Sequence, residues 1–149
     1  MCSHMKKIFL VYGTTTGNTE VMAEEIKRVL EKKHTVIIKN IVDVSHEEFS
    51  DYSYVILGSS TWQDGELQDD WLDFEPNFTY ISFIQKKIAV FGPGSSGYPQ
   101  FAKAVDILES IVLDKGGTLL SPSLKIDGDV DEQIDVVTEF AEKVLENIQ

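Results

Sequence analysis

Short apolar runs recur along the chain at Ile8–Val11, Val36–Ile38, Tyr54–Leu57 and Ile88–Phe91, with a last pair near Thr118–Leu120 and Leu124–Ile126. The first, third and fourth are almost continuously apolar, the pattern of strands buried on both faces of a parallel sheet. Between the runs, apolar residues return at helical spacing. Met22, Ile26, Val29 and Leu30 share one face, as do Phe101, Val105, Leu108 and Ile111/Val112. A third such face holds Ile134, Val137, Phe140, Ala141, Val144 and Leu145. Gly116-Gly117 is the expected stop of the helix before it. Ser45–Phe49 predicts only a short helix, and a helix starting in Leu67–Phe74 is expected to break at Pro76. Strands alternating with helices predict a doubly wound α/β domain with right-handed crossovers.

In such sheets ligands bind beyond the carboxyl ends of the strands, where the strand order reverses. That rule selects three loops: Gly13–Thr19 after the first strand, Ser59–Glu66 after the third and Gly92–Phe101 after the fourth. The stretch Tyr12-Gly13-Thr14-Thr15-Thr16-Gly17-Asn18-Thr19-Glu20 puts two glycines, an Asn and four Thr hydroxyls into a strand-to-helix turn without Lys or Arg. Helix N-terminal amides carry partial positive charge and hydroxyls add donors, so neutral groups alone can hold a phosphate dianion there. The turn lacks the Gly-Lys-Ser/Thr ending of a P-loop and the Gly-x-Gly-x-x-Gly of a dinucleotide site. The terminal phosphate of a mononucleotide fits it better. The alternative is a plain polar turn with a Thr cap, and the number of Thr beside Gly17-Asn18 weighs against it.

The second loop, Ser59-Ser60-Thr61-Trp62-Gln63-Asp64-Gly65-Glu66, places an indole directly after small polar residues. The third, Gly92-Pro93-Gly94-Ser95-Ser96-Gly97-Tyr98-Pro99-Gln100-Phe101, is glycine-rich with a phenol in the middle. Aromatic side chains at a ligand edge can sandwich a planar ring, with about 0.5–1.5 kcal/mol per stacked pair beyond burial. Each alone could equally fold back onto the core. Two of them flanking one crevice opposite a phosphate turn point to a planar mononucleotide.

Charge narrows the partners. Lys and Arg number 13 against 25 Asp and Glu, a formal net charge of -12. Such a surface repels nucleic acid and anionic membranes and suits basic protein partners. The single Cys2 forms no internal disulfide, and no apolar run approaches the roughly 18 residues of a membrane span. No signal-peptide core is present, so a cytoplasmic location is expected, with no membrane insertion. Residues 6–149 are expected to form a single domain, while Met1–Met5 read as an expression scar or a disordered terminus. Cys2 and His4 are therefore read as part of a mobile end rather than as a metal pair, and no metal site is expected. His34 and His46 fall in segments predicted to lie on the surface.

Taken together, these motifs resemble flavodoxins. The resemblance is carried by Gly13–Glu20, by Ser60-Thr61-Trp62 followed by Glu66-Leu67-Gln68-Asp69-Asp70, and by Gly92-x-Gly94-x-Ser96 with Tyr98 and Ala104-Val105-Asp106. The later Leu124-Lys125-Ile126-Asp127-Gly128-Asp129 extends it, so that it runs from Lys6 onward, with the length of the short-chain subclass. It implies a flavodoxin-like five-stranded parallel sheet of order 2-1-3-4-5 in a three-layer α/β/α sandwich, with one non-covalent flavin mononucleotide (FMN). It further implies a low-potential carrier that shuttles single electrons between redox proteins and has no catalytic residue of its own. By motif, Thr14, Thr15, Thr16, Gly17, Asn18 and Thr19 would hold the phosphate, helped by Ser60, with Thr61 toward the ribityl chain. Trp62 and Tyr98 would cover the two ring faces. Backbone groups around Pro93, Gly94, Ser95 and Gln100, Phe101 and Ala102 would meet the pyrimidine edge.

Two departures from the family pattern matter. After Trp62 many short-chain members have Gly-Asp and two further residues, whereas Gln63-Asp64-Gly65 is shorter. In the family a carbonyl there turns toward flavin N5 on one-electron reduction, and a non-glycine residue disfavours positive-φ turns by about 1 kcal/mol. Gln63 is expected to narrow the gap between the two potentials unless Gly65 takes the flexible position. Pro93 and Ser95 also stand where a more acidic pattern is common, which removes a charge near the ring.

From Asp64 to Glu75 the acids Asp64, Glu66, Asp69, Asp70, Asp73 and Glu75 occur without a base. One carboxylate about 6 Å from an anionic reduced flavin, at an effective dielectric near 20, costs it roughly 3 kcal/mol. That is on the order of 100 mV toward lower potential for a one-electron couple. The same patch is expected to dock basic surfaces of electron-donating reductases and electron-accepting redox enzymes, with the protein a monomer. A quinone or azo reductase of the flavodoxin-like group is the alternative, but covering aromatics would deny a hydride donor access to the ring. A phosphoacceptor receiver domain shares the sheet order, yet Gly13-Thr14 and Ser59-Ser60 occupy the strand ends where it needs acids.

Overall fold

The computed structural model describes residues 5–14, 17–62, 65–97 and 101–148, without the side chain of Trp62. Strand β1 (Lys7–Gly13) alternates its side chains between two layers. Ile8 and Leu10 pack with Met22, Ile26 and Val29, while Phe9 and Val11 pack with Phe49, Trp71 and Val105. That two-sided burial is why the run is apolar throughout. Helix α1 (Asn18–Leu30) and α4 (Ile134–Asn147) form one outer layer, and α2 (Asp69–Phe74) with α3 (Lys103–Asp114) the other.

The remaining strands are β2 (Thr35–Asn40), β3 (Tyr54–Ser59), β6 (Lys87–Gly94), β7 (Thr118–Leu119) and β8 (Leu124–Asp127). A small hairpin of β4 (Thr61–Trp62) and β5 (Glu66–Leu67) stands apart from the main sheet. The main sheet is parallel, in the order β2-β1-β3-β6 with β7 and β8 sharing the last place. This is the order 2-1-3-4-5 with its fifth strand in two pieces. Thr118 and Leu119 pair with Lys87 and Ile88, and Leu124–Asp127 pair with Phe91–Gly94. Pro122, between two serines, cannot donate to a ladder, and the chain leaves the edge there.

Several boundaries differ from the sequence reading. Strand β6 runs on through Gly92 and Pro93 to Gly94, which were expected in the loop. The physical reason is one-sided pairing. The β3 ladder stops at Gly58↔Phe91, so Pro93 faces only β8 and its missing N–H is tolerated. Gly13 and Ser59 likewise close β1 and β3 rather than open their loops. The helix does stop just short of Pro76, as expected: α2 ends at Phe74, and the chain continues as a 3-10 turn over Glu75–Tyr80, with Pro near its start where no N–H is needed. Ser45–Phe49 corresponds to a 3-10 turn over His46–Asp51, entered through a capping box at Ser45 and Glu48.

The chain leaves β1 for β2 on one side and later crosses to β3 on the other. The carboxyl ends of β1 and β3 therefore frame the crevice that this topology makes available to a ligand.

Candidate functional site

Strand β1 delivers Gly13 into tight quarters. A Cβ there would lie 2.5 Å from Gln68 Oε1 and 2.7 Å from Trp71 Cδ1, so only glycine lets the chain pass. The half-buried Thr14 turns its Oγ1 back to accept from the Gly17 N–H at 2.9 Å. Gly17 is the N-cap of α1 at φ 93°, a left-handed conformation that suits glycine, and it offers no side chain to the helix. The first intrahelical bond runs from Val21 N–H to Gly17 C=O, so the amides of Asn18, Thr19 and Glu20 have no partner within the helix. Beside them Thr19 is 0% exposed, and its Oγ1 has no hydrogen-bond partner among the described residues.

A buried hydroxyl without a partner costs about 1–3 kcal/mol, and such groups are rare in folded proteins. An anion at this helix start would satisfy the hydroxyl together with the amides that the helix leaves unpaired. The donor set therefore fits a phosphate. Tyr12 closes one flank by donating to Glu20 Oε2 at 3.1 Å, and burial together with that carboxylate raises its pKa, keeping it a neutral donor.

In the second loop, Ser59 Oγ accepts from Gln68 N–H (3.2 Å) and donates to Ser60 C=O (2.8 Å). Ser60 and Thr61 follow, both half-buried. The hydroxyl of Thr61, expected toward a ribityl chain, accepts from the Ala104 N–H at 2.9 Å. It thus satisfies a first-turn amide of α3 and joins the second loop to the third. Gly65, in the turn of the β4-β5 hairpin, has φ 84° and is buried. Gly65, named as the alternative flexible position to Gln63, has a positive φ, while Gln63 itself lies outside the described residues.

The described residues of the third loop bond largely to protein groups. Gly128 N–H donates to Gly94 C=O (3.0 Å), Ser96 N–H to Asp127 Oδ1 (2.9 Å) and Gly97 N–H to Ser95 Oγ (3.2 Å). The Ser96 bonds hold the Asp127 carboxyl below its usual pKa. Ala102 takes a left-handed conformation (φ 47°) that only glycine adopts without cost, and it is 1% exposed. Its methyl packs on Gly94, where a Cβ would lie 2.8 Å from Ala102 N, so Ala102 can offer a ligand only its backbone. The half-buried Phe101 lies 5.9 Å beneath Lys125 Nζ, which also pairs with Asp106 at 2.9 Å.

The structure thus gathers Thr14, Gly17, Asn18, Thr19, Ser60, Thr61, Gly65, Gly94, Ser95, Phe101 and Ala102 on the loops and adjoining element ends at one edge of the sheet, with the buried Pro93 just beneath them. Thr15, Thr16, Gln63, Tyr98 and Gln100 lie outside the described residues, as do Cys2, His4 and Asp64, and Trp62 is described only as backbone. Of the acids, Glu66, Asp69, Asp73 and Glu75 are exposed, while Asp70 is half-buried against Gln68. One surface expectation is corrected: His34 is 9% exposed, because its ring fills the junction between α1 and β1 and accepts from Lys6 N–H at 3.0 Å. Sequence reasoning gave Gln68 and Asp127 no role of their own. Their signal lies in pairings distant along the chain, which no periodicity reports.

Comparison with known proteins agrees with this picture. The flavodoxin family profile matches residues 10–140. A probable flavodoxin 2 of Bacillus subtilis is 38% identical over 146 residues, covering 93% of this chain and 97% of that protein. A flavodoxin of Maridesulfovibrio salexigens is 41% identical over 129 residues, covering 84% and 88%. Among solved structures, oxidised flavodoxin 2 of Bacillus cereus superposes with a TM-score of 0.91 at 35% identity, covering 95% of this chain and 99% of that one.

Proposed function

Because the chain belongs to the flavodoxin family, we propose that its three loops hold one FMN at the carboxyl edge of the sheet, anchored by the phosphate in the first loop. Flavodoxins are electron carriers rather than enzymes, and this chain is an FMN-based electron-transfer protein. The observation that carries the assignment is the buried Thr19 hydroxyl, without a partner among the described residues, beside first-turn amides of α1 that have no partner within the helix.

Thr14, Thr15, Thr16, Gly17, Asn18 and Thr19, with Ser60, supply the phosphate donors. Bound FMN supplies one-electron redox chemistry that no side chain provides. Trp62 and Tyr98 cover the ring, keeping water from it, and Gln63 with Gly65 shape the turn beside it. The backbone from Pro93 to Ser95 and from Gln100 to Ala102 meets the polar edge. Thr61 serves the site through α3, whose N-terminus its hydroxyl caps.

The exposed Glu66, Asp69, Asp73 and Glu75 beside the second loop set the choice of partner. Their charge favours basic surfaces on reductases and acceptors, with docking rates that fall as salt rises. The same charge opposes self-association, in keeping with a monomer. Among the described residues no helix is long and apolar enough to cross a membrane. We place the single domain, residues 6–149, in the cytoplasm, where such partners are at hand.

Colour is the test. The purified protein should be yellow, with a flavin that acid releases and chromatography identifies as FMN. A colourless protein that binds no added FMN would end the proposal.

A further inference from the structure

Two of the three loops are tied together by a residue that belongs to neither the phosphate turn nor the ring-covering set. Gln68, between β5 and α2, is 2% exposed. Its backbone N–H donates to Ser59 Oγ at 3.2 Å, at the end of β3. Its side-chain Oε1 accepts from Asp70 N–H at 3.0 Å, capping α2, and its Nε2 donates to Asp70 Oδ2 at 3.0 Å. Across 54 residues of sequence, the same Nε2 reaches the Thr14 carbonyl at 3.4 Å. The partners fix which way the amide points, since two oxygens take its NH2 and an N–H takes its oxygen.

The contact with the first loop is steric as well as polar. The Gln68 oxygen occupies the space that a Gly13 side chain would need, 2.5 Å from an ideal Cβ. Register pairing between β1 and β3 ends at Gly13↔Ser59, so the ladder no longer governs Thr14. Gln68 takes over at that residue. A phosphate site with no cation gains its affinity from donors already in place, because each donor that must be ordered on binding subtracts from the result.

We propose that Gln68 is a positioning residue for phosphate recognition, holding the Gly13–Thr14 backbone against the N-terminus of α2 so that the first loop is preformed. The inference rests on the reading of that loop as the FMN phosphate site.

Riboflavin, which is FMN without its phosphate, separates this role from general stability. Flavin-stripped wild-type protein, Gln68→Met and Gln68→Glu would each be titrated with FMN and with riboflavin by fluorescence quenching. Met keeps the length and removes the polar contacts. Glu keeps an acceptor for Asp70 N–H but turns a second oxygen toward the Thr14 carbonyl. Both variants should lower the preference for FMN over riboflavin about tenfold or more, the scale of a lost hydrogen bond near a charged group. The riboflavin Kd should stay within about twofold, since riboflavin makes no use of the phosphate turn. Equal weakening of both flavins, an unchanged preference, or two variants that fail to fold would each overturn the proposal, by making Gln68 a core residue only. Wild-type protein that binds both flavins equally would instead overturn the phosphate reading, and wild-type protein that binds neither would overturn the flavin reading.

Discussion

The first and third loops sit at the same edge of one sheet and treat their polar groups in opposite ways. Around the first loop, Thr19 Oγ1 is buried without a partner among the described residues, and the first-turn amides of α1 have no partner within the helix. Around the third, Gly94 C=O, Ser96 N–H, Gly97 N–H and Ala104 N–H are all taken up by other protein groups. Among the described residues, the first loop leaves donors open to a ligand, whereas the third satisfies its own within the fold. Binding energy should therefore concentrate in the first loop and apoprotein stability in the third. Substitutions can separate the two.

Thr19→Val is the strongest probe. The change keeps the shape of the side chain and removes one donor to a dianion, worth about 1.5–3 kcal/mol. FMN affinity should fall roughly ten- to a hundredfold. The apoprotein should lose no stability, and a gain of up to about 1 kcal/mol is expected, because a buried unsatisfied hydroxyl becomes a methyl group. Flavin titration and urea unfolding of the apoprotein, run side by side, check both halves. An unchanged FMN affinity would remove Thr19 from the cradle and collapse the contrast between the loops.

That contrast was only partly legible in the sequence. The strand periodicity exposed the sheet, because Ile8–Val11 and Ile88–Phe91 are buried on both faces and must be apolar throughout. The first loop stood out as a candidate site because neutral donors concentrated before a helix have few other uses. Gly92 and Pro93 misled, since both residues usually signal a loop. Yet a side chain at Gly92 would collide with the Ser59 carbonyl, and Pro93 pairs on one side only, so a strand requires the first and tolerates the second. The capping of α3 by Thr61 joins residues 43 apart in sequence, and the Asp127–Ser96 bond joins residues 31 apart. No local pattern encodes such bonds. They follow only once the sheet order has brought the loops together.

Thr61→Val probes the other side of the comparison. It removes the acceptor for Ala104 N–H while keeping the branched shape, and loss of such a cap costs about 1 kcal/mol. For a chain of this size the apoprotein should melt roughly 2–4 °C lower. FMN affinity should fall by less than about fivefold, through loosening of α3 rather than loss of a ligand contact. Calorimetry with and without FMN measures both. A larger loss of affinity than Thr19→Val produces would reverse the assignment of the two loops.

The smallest effect on flavin binding is expected at the opposite edge of the sheet, where His34 closes α1 onto the start of β1. Its Nδ1 accepts from Lys6 N–H at 3.0 Å, so the neutral ring carries its proton on Nε2. Burial, followed by the charges of Lys33 and Lys6, lowers its pKa from the ordinary 6.5. The unfolded chain therefore takes up this proton first as the solution is acidified. The stability linked to His34 is complete above pH 6.5 and is lost as the pH falls through the lower folded value. Glu25, held low chiefly by Arg28, and Glu48, held low chiefly by Lys39, act in the same direction, but only below their ordinary 4.5. The two windows can thus be told apart. His34→Asn retains an acceptor for Lys6 N–H and removes the titration. Its urea midpoint should vary less than that of the wild type just below pH 6.5 and equally below 4.5, with FMN affinity at neutral pH unchanged. Identical pH profiles for the two proteins would show that the buried imidazole carries no linked stability. A drop in FMN affinity would show that the two edges of the sheet do not act independently.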